Sequence, residues 1–132
     1  QLQELMERSD FVSVHVPLSP ATKGLIGEEQ FKAMKATGII INTGRGPVID
    51  EPALIKALQE GSIAFAGLDV FEKEPVDPDN PLLKMDNVIL SAHVASASDR
   101  MAREARRRVG REIASVLQGR RPLAPVNPEA LG

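Results

Sequence analysis

The sequence predicts an α/β chain in which a parallel sheet is covered by helices on both faces and a long helix closes the chain. Three observations predict it. Short runs rich in β-forming residues alternate with amphipathic stretches of helical period, the pattern that crossover connections produce. One run, Gly38-Ile39-Ile40-Ile41-Asn42, is apolar without alternation, as in a strand buried on both sides. From Ser98 to Gln118, Ala102, Ala105, Val109, Ile113 and Val116 recur at helical spacing.

The elements follow in order. Gln1 to Arg8 reads as a helix with Leu2, Leu5 and Met6 on one face, and Ser9-Asp10 as the loop into a strand. A chain that opens inside a helix, without a methionine, is expected to be a fragment lacking the front half of a longer protein. Phe11 to Val16 alternates and is β-rich, and Pro17 and Pro20 stop it. Its His15 is read as structural. Gly27 to Ala36 carries Phe31 and Met34 on one face and ends at Gly38. Asp50 is an N-cap candidate, with Glu51 in the first turn where the helix dipole favours an acid. Leu54, Ile55 and Leu58 form the stripe of that helix, and Gly61 ends it. Ile63 to Val70 is a strand of small apolar residues. Residues 72 to 87, with Pro75, Pro78 and Pro81, form a loop, and Asn87 to Ser91 a last strand. The tail holding Pro122, Pro125 and Pro128 is irregular. The expected division is residues 1–97, carrying the sheet, and 98–132, a helix and tail.

Composition narrows the function. At 132 residues the chain is one domain or less, and 42% hydrophobic content suffices for a core. A formal charge of −2 and only four aromatic residues, all Phe, argue against nucleic acid as the partner. The six arginines between Arg100 and Arg111 are interleaved with Glu104 and Glu112, which reads as a solvated or interdomain helix face. No apolar run reaches the ~20 residues that span a bilayer, so no membrane partner is expected. With no cysteine and two histidines, no metal site is expected, and the expected location is cytoplasmic.

The chemistry gathers where strands end. Ligands of parallel sheets sit outside the carboxyl ends of the strands. Val16-Pro17, Thr43-Gly44-Arg45, Asp69 and His93 each follow a strand-like run. Arg45 stands between two glycines, where its planar fork can meet a carboxylate or a keto oxygen. The bland alternative is a helix-capping arginine or a pair with Asp50. His93 is followed by small Ala95 and Ser96, which leave room for a ligand. Glu74 or its rival Glu72 would fix the imidazole tautomer for proton transfer near neutral pH. Asp69 either caps its loop or accepts a hydrogen bond from a carboxamide. Arginine, carboxylate and histidine make a usable hydride-transfer site.

The segments S-D-F-V-S-V-H-V-P-L, F-K-A-M-K, I-N-T-G-R-G-P-V-I-D-E, G-L-D-V-F-E-K-E-P and V-N-P-E-A-L closely resemble the D-isomer-specific 2-hydroxyacid dehydrogenases, from Leu2 to about Ala130. The resemblance implies the second half of a Rossmann-like doubly wound sheet, with the glycine-rich turn and substrate domain absent. It implies Arg45, Glu74 and His93 as the catalytic set, with Arg45 on the substrate carboxylate and carbonyl and Glu74 as partner to His93. It places Val16, Pro17, Thr43, Gly44, Arg45, Asp69, His93, Ala95 and Ser96 on NAD or NADP. It implies a small 2-oxoacid or 2-hydroxyacid substrate and a homodimer in the full-length protein. Ala92 departs from the proline usual before that histidine. A dinucleotide-sensing transcriptional corepressor of the same family is the alternative, and a formate dehydrogenase is disfavoured because it has glutamine at Glu74.

Overall fold

Four short strands pair in sequence order and run parallel. In the computed structural model, which describes residues 1–131, α1 (Leu2–Arg8) leads into β1 (Phe11–Val14), α2 (Glu28–Ala33) into β2 (Ile39–Asn42), and α3 (Glu51–Gln59) into β3 (Phe65–Leu68). A loop with a 3₁₀ turn at Pro81–Lys84 leads to β4 (Val88–Leu90), and α4 (Asp99–Leu117) follows. The sheet order is β1-β2-β3-β4, with Phe11 opposite Ile39, Ile39 opposite Phe65 and Ala66 opposite Val88. All strand carboxyl ends therefore lie along one edge.

Right-handed crossovers between strands laid down in one direction must all land on the same face. The core shows this: Met6, Phe31, Leu54 and Leu58 from three helices pack with Val12, Val14, Ile40, Ala66 and Leu68 from the strands. Burying one such side chain contributes about 1.5–3 kcal/mol. The expectation of helices on both faces is thus corrected within residues 1–95. On the other face Phe11, Phe65 and Ile89 are 66%, 46% and 76% exposed. The Ile39-Ile40-Ile41 run misled because it is apolar on both faces, while only Ile40 is fully buried.

The chain divides into two compact units, residues 1–95 and 96–132. In the second, Ser98 caps α4 by accepting the Met101 N–H at 3.1 Å. Gly119, at φ 74°, closes it, with Gly119 N–H bonded to Val116 O and Arg120 N–H to Ser115 O, the paired bonds of a glycine helix stop. No α4 residue is buried, and its apolar Val109, Ile113 and Val116 are exposed along with its arginines. No helix among the described residues is long and apolar enough to cross a membrane.

Strands and helices are shorter than the sequence patterns suggest. β1 stops at Val14, so His15 lies outside the strand, exposed, with Nε2 2.7 Å from Ser13 Oγ. It is a surface residue rather than part of a strand. α2 stops at Ala33 because Met34 is extended, and Gly38 N–H turns back to Lys35 O at 2.7 Å. Glu28 ties α2 to α3 by accepting from Lys32 and Lys56, which hold its carboxyl at about 2.

A candidate active site at the carboxyl edge of the sheet

The loops that follow the strands are fastened to one another before any site residue is reached. After β1, the Thr22 hydroxyl donates to Pro17 O at 2.6 Å and fixes the Val16-Pro17 turn. That loop is zipped to the segment after β2: Gly24 N–H bonds Pro47 O, Ile26 N–H bonds Val48 O, and Asp50 N–H bonds Ile26 O. Val16 and Pro17 stay exposed, while Thr43 and Gly44 are half-buried beside them.

Asn42 organises the arginine turn. It is 1% exposed, accepts Gly44 N–H on Oδ1 at 3.0 Å and donates through Nδ2 to Arg45 O at 3.1 Å. A buried amide must find such partners, because an unsatisfied one costs about 1–3 kcal/mol. The turn leaves the Arg45 side chain exposed, with Nη1 donating to Gly44 O at 2.8 Å. The alternative pairing with Asp50 is not made: Asp50 Oδ1 accepts Ala53 N–H at 2.9 Å and caps α3. Sequence reasoning passed over Asn42. Its signal was a polar residue ending an isoleucine strand in an inward position.

Asp69 organises the histidine turn in the same way. Buried at the end of β3, it accepts the Ser91 hydroxyl at 2.5 Å and Val94 N–H at 2.8 Å on Oδ1, and Ala95 N–H at 2.8 Å on Oδ2. Its carbonyl accepts His93 N–H at 2.9 Å. The Ser91 hydrogen bond, then the two amides, hold the carboxyl below its ordinary value against the opposing effect of burial. Of the two open readings, the loop cap is the one these bonds display, and Oδ2 retains accepting capacity for a ligand amide. His93 itself sits at φ 54°, left-handed backbone that side chains other than glycine's seldom adopt. The Asp69 bonds on either side of it hold it there, and such strain gathers at functional positions.

Glu74 Oε2 lies 2.7 Å from His93 Nδ1 across 19 residues of sequence, and Oε1 accepts Phe71 N–H at 3.0 Å. Both oxygens are engaged. The His93 bond, then the Phe71 amide, draw the carboxyl below its ordinary value, with smaller pulls from the charges of His93 and Arg45. The carboxylate paired with His93 is that of Glu74 and not of the rival Glu72, whose backbone amide donates to Glu51 Oε2. With Nδ1 committed to Glu74, Nε2 is the nitrogen left for a ligand.

An open cleft beside this pair is lined by Asp69, Phe71, Glu74, Pro75, Val76, Ala92 and His93. Apolar walls with a few polar groups suit a flat ring such as a nicotinamide. A carboxylate able to accept from an amide, in Asp69, and the His93 imidazole fit the nicotinamide end of a dinucleotide. Ala95 ends the first unit; Ser96 begins the second and is exposed. No cluster of metal-ligating side chains occurs among the described residues.

Comparison with known proteins gives this edge its chemical setting. Residues 1–95 match the family model for the D-isomer specific 2-hydroxyacid dehydrogenase NAD binding domain. The chain is 51% identical to a glyoxylate reductase of Korarchaeum cryptofilum over 98% of its own length and 39% of the relative's. It superposes on the NAD complexed form of a D-isomer specific 2-hydroxyacid dehydrogenase from Lactobacillus delbrueckii ssp. bulgaricus. That match has a TM-score of 0.87 at 34% identity and covers 96% of this chain and 42% of the other. The corresponding enzyme from Xanthobacter autotrophicus Py2, in complex with NADPH and MES, matches with a TM-score of 0.85 at 40% identity, over 98% and 52% of the two chains. This chain therefore spans about two fifths of the first two relatives and half of the third. The matched family model is that of an NAD-binding domain, and the two solved relatives hold NAD and NADPH. The chain belongs to the D-isomer specific 2-hydroxyacid dehydrogenase family, and its residues 1–95 match that family's NAD-binding domain.

Proposed function

We propose that the protein carrying this chain reduces a small 2-oxoacid to its D-2-hydroxyacid, and runs the reverse reaction, with Arg45, Glu74 and His93 as its catalytic residues. NAD-dependent oxidoreduction is supported by the relatives, which are glyoxylate reductases and D-2-hydroxyacid dehydrogenases. The observation that carries the residue assignment is the 2.7 Å contact of Glu74 with His93 Nδ1, beside a cleft open to solvent.

The reduced nicotinamide, when bound, supplies hydride to the carbonyl carbon. Arg45 offers its two-pronged donor to the substrate carboxylate and carbonyl oxygen, and so stabilises the charge that develops there. His93 gives the proton on Nε2 to that oxygen, completing the hydroxyl group. Glu74 holds Nδ1–H, fixes the tautomer and offsets the imidazolium charge before transfer. Asp69 keeps the His93 turn closed and offers its remaining lone pair to the carboxamide. Val16, Pro17, Thr43, Gly44 and Ala95 line the approach of the cofactor. The name of the Korarchaeum relative makes glyoxylate the first substrate to try. Nothing in the site favours the corepressor reading.

The full-length protein, given NADH or NADPH and a panel of 2-oxoacids from glyoxylate to phenylglyoxylate, should consume the reduced nicotinamide with at least one. No consumption with any pair would reject the proposal.

A further inference from the structure

The loop that carries Glu74 is held from outside by a residue that touches neither Glu74 nor His93. Glu51, the first residue of α3, accepts Glu72 N–H on Oε2 at 2.9 Å and Asn80 Nδ2–H on Oε1 at 2.7 Å. One half-buried carboxylate thus spans both sides of the loop, with Glu74 between the two points of attachment. Its bonds are charge-assisted, the strong class of hydrogen bond. Asn80 passes the restraint on, since its Oδ1 accepts Leu82 N–H at 3.0 Å and starts the 3₁₀ turn Pro81–Lys84.

The same stretch of chain meets the loop a second time. Gly46, beside Arg45, packs so closely that a β-carbon there would lie 1.8 Å from Phe71 O and 2.5 Å from Glu72 N. Between the two contacts, residues 46–48 form a 3₁₀ turn and Asp50 caps α3, so Arg45 to Glu51 is a continuously bonded segment. A first-turn acid is favoured by the helix dipole alone. That preference does not explain why both oxygens of Glu51 are spent on another loop.

We propose that Glu51 is a positioning residue, which holds the Glu74 loop in register with the Arg45 turn so that arginine and the His93–Glu74 pair keep one spacing. The inference rests on the 2-oxoacid reductase reading above.

The test uses the full-length protein with Glu51→Ala and Glu51→Gln, reading kcat, NADH affinity, melting temperature and the low-field proton resonance of the His93 Nδ1–H bond. Glu51→Ala should lower kcat by roughly 10–10²-fold, as misplaced catalytic groups do. NADH affinity should be little changed, and the His93 resonance should broaden or vanish. Glu51→Gln keeps one accepting oxygen and should recover most of the loss. A purely structural role would lower the melting temperature and leave kcat and the resonance as in wild type at permissive temperature, which overturns the inference. Should Glu51→Ala not fold, Asn80→Asp takes its place, since it keeps the Leu82 cap but cannot donate to Glu51, and wild-type kcat and resonance in that variant overturn the inference equally. A wild-type protein that reduces no 2-oxoacid counts against the parent reading, and the resonance then decides the role of Glu51 by itself.

Discussion

Gly46 and Phe71 meet backbone to backbone, and this contact joins the Arg45 turn to the loop that carries Glu74. Any β-carbon at position 46 would fall 1.8 Å from the Phe71 carbonyl oxygen, an overlap that no rotamer change relieves. Gly46→Ala should therefore push the loop away, cost at least the roughly 1–3 kcal/mol of an overpacked core, and lower turnover. Gly67→Ala is the control, since its new β-carbon would meet only Ile41 side-chain atoms at 3.7 Å and 3.9 Å. Melting temperatures and kcat of both variants check this; equal behaviour would show that the contact is soft.

Arg45→Lys should lower kcat/KM for the 2-oxoacid by roughly 10²–10³-fold, the usual cost of losing a donor at a developing oxyanion. An ammonium keeps the charge but presents no fork. The loss should fall on the oxoacid, with NADH binding close to wild type. Steady-state kinetics with each substrate varied in turn measures the split, and near-wild-type kcat/KM would remove Arg45 from the substrate site.

Acid should weaken the site in a defined direction. Glu74 is held below its ordinary value of 4.5, chiefly by His93, and Asp69 below 3.8, chiefly by Ser91. A carboxyl whose value is depressed on folding adds stability that is full above its unfolded value and is lost as pH falls through the folded one. The stability advantage of wild type over Glu74→Gln should be constant near neutrality and shrink below about pH 4.5. Melting curves of the two proteins across that range test it, and a gap that widens on acidification would contradict the assignment.

Much of this arrangement is legible in the sequence because it depends on local pattern. Runs of β-forming or small apolar residues place all four strands, and Asp50 reads as the cap that it is. Arg45, Asp69 and His93 read as site residues because each follows a strand, and parallel strands send their carboxyl ends to one edge. Glu74 over Glu72 followed from the family resemblance. What was not legible depends on pairing across the sequence. Asn42 and Glu51 look like a strand end and a helix-dipole acid until the structure shows their partners. The single covered face escaped notice because apolar residues line both sides of β2, and composition does not say which side has a helix to meet. His15 was assigned to a strand by alternation, which continued past the last ladder bond.

In the proposed mechanism Glu74 and His93 act as one unit, and a double-mutant cycle on kcat measures that most directly. In the full-length protein, His93→Gln should lower kcat by roughly 10²–10⁴-fold. Glu74→Gln should lower it less, and the double variant should be no worse than His93→Gln alone, because Glu74 works only through the imidazole. Losses that multiply in the double variant would show two independent residues and contradict the proton-transfer pair.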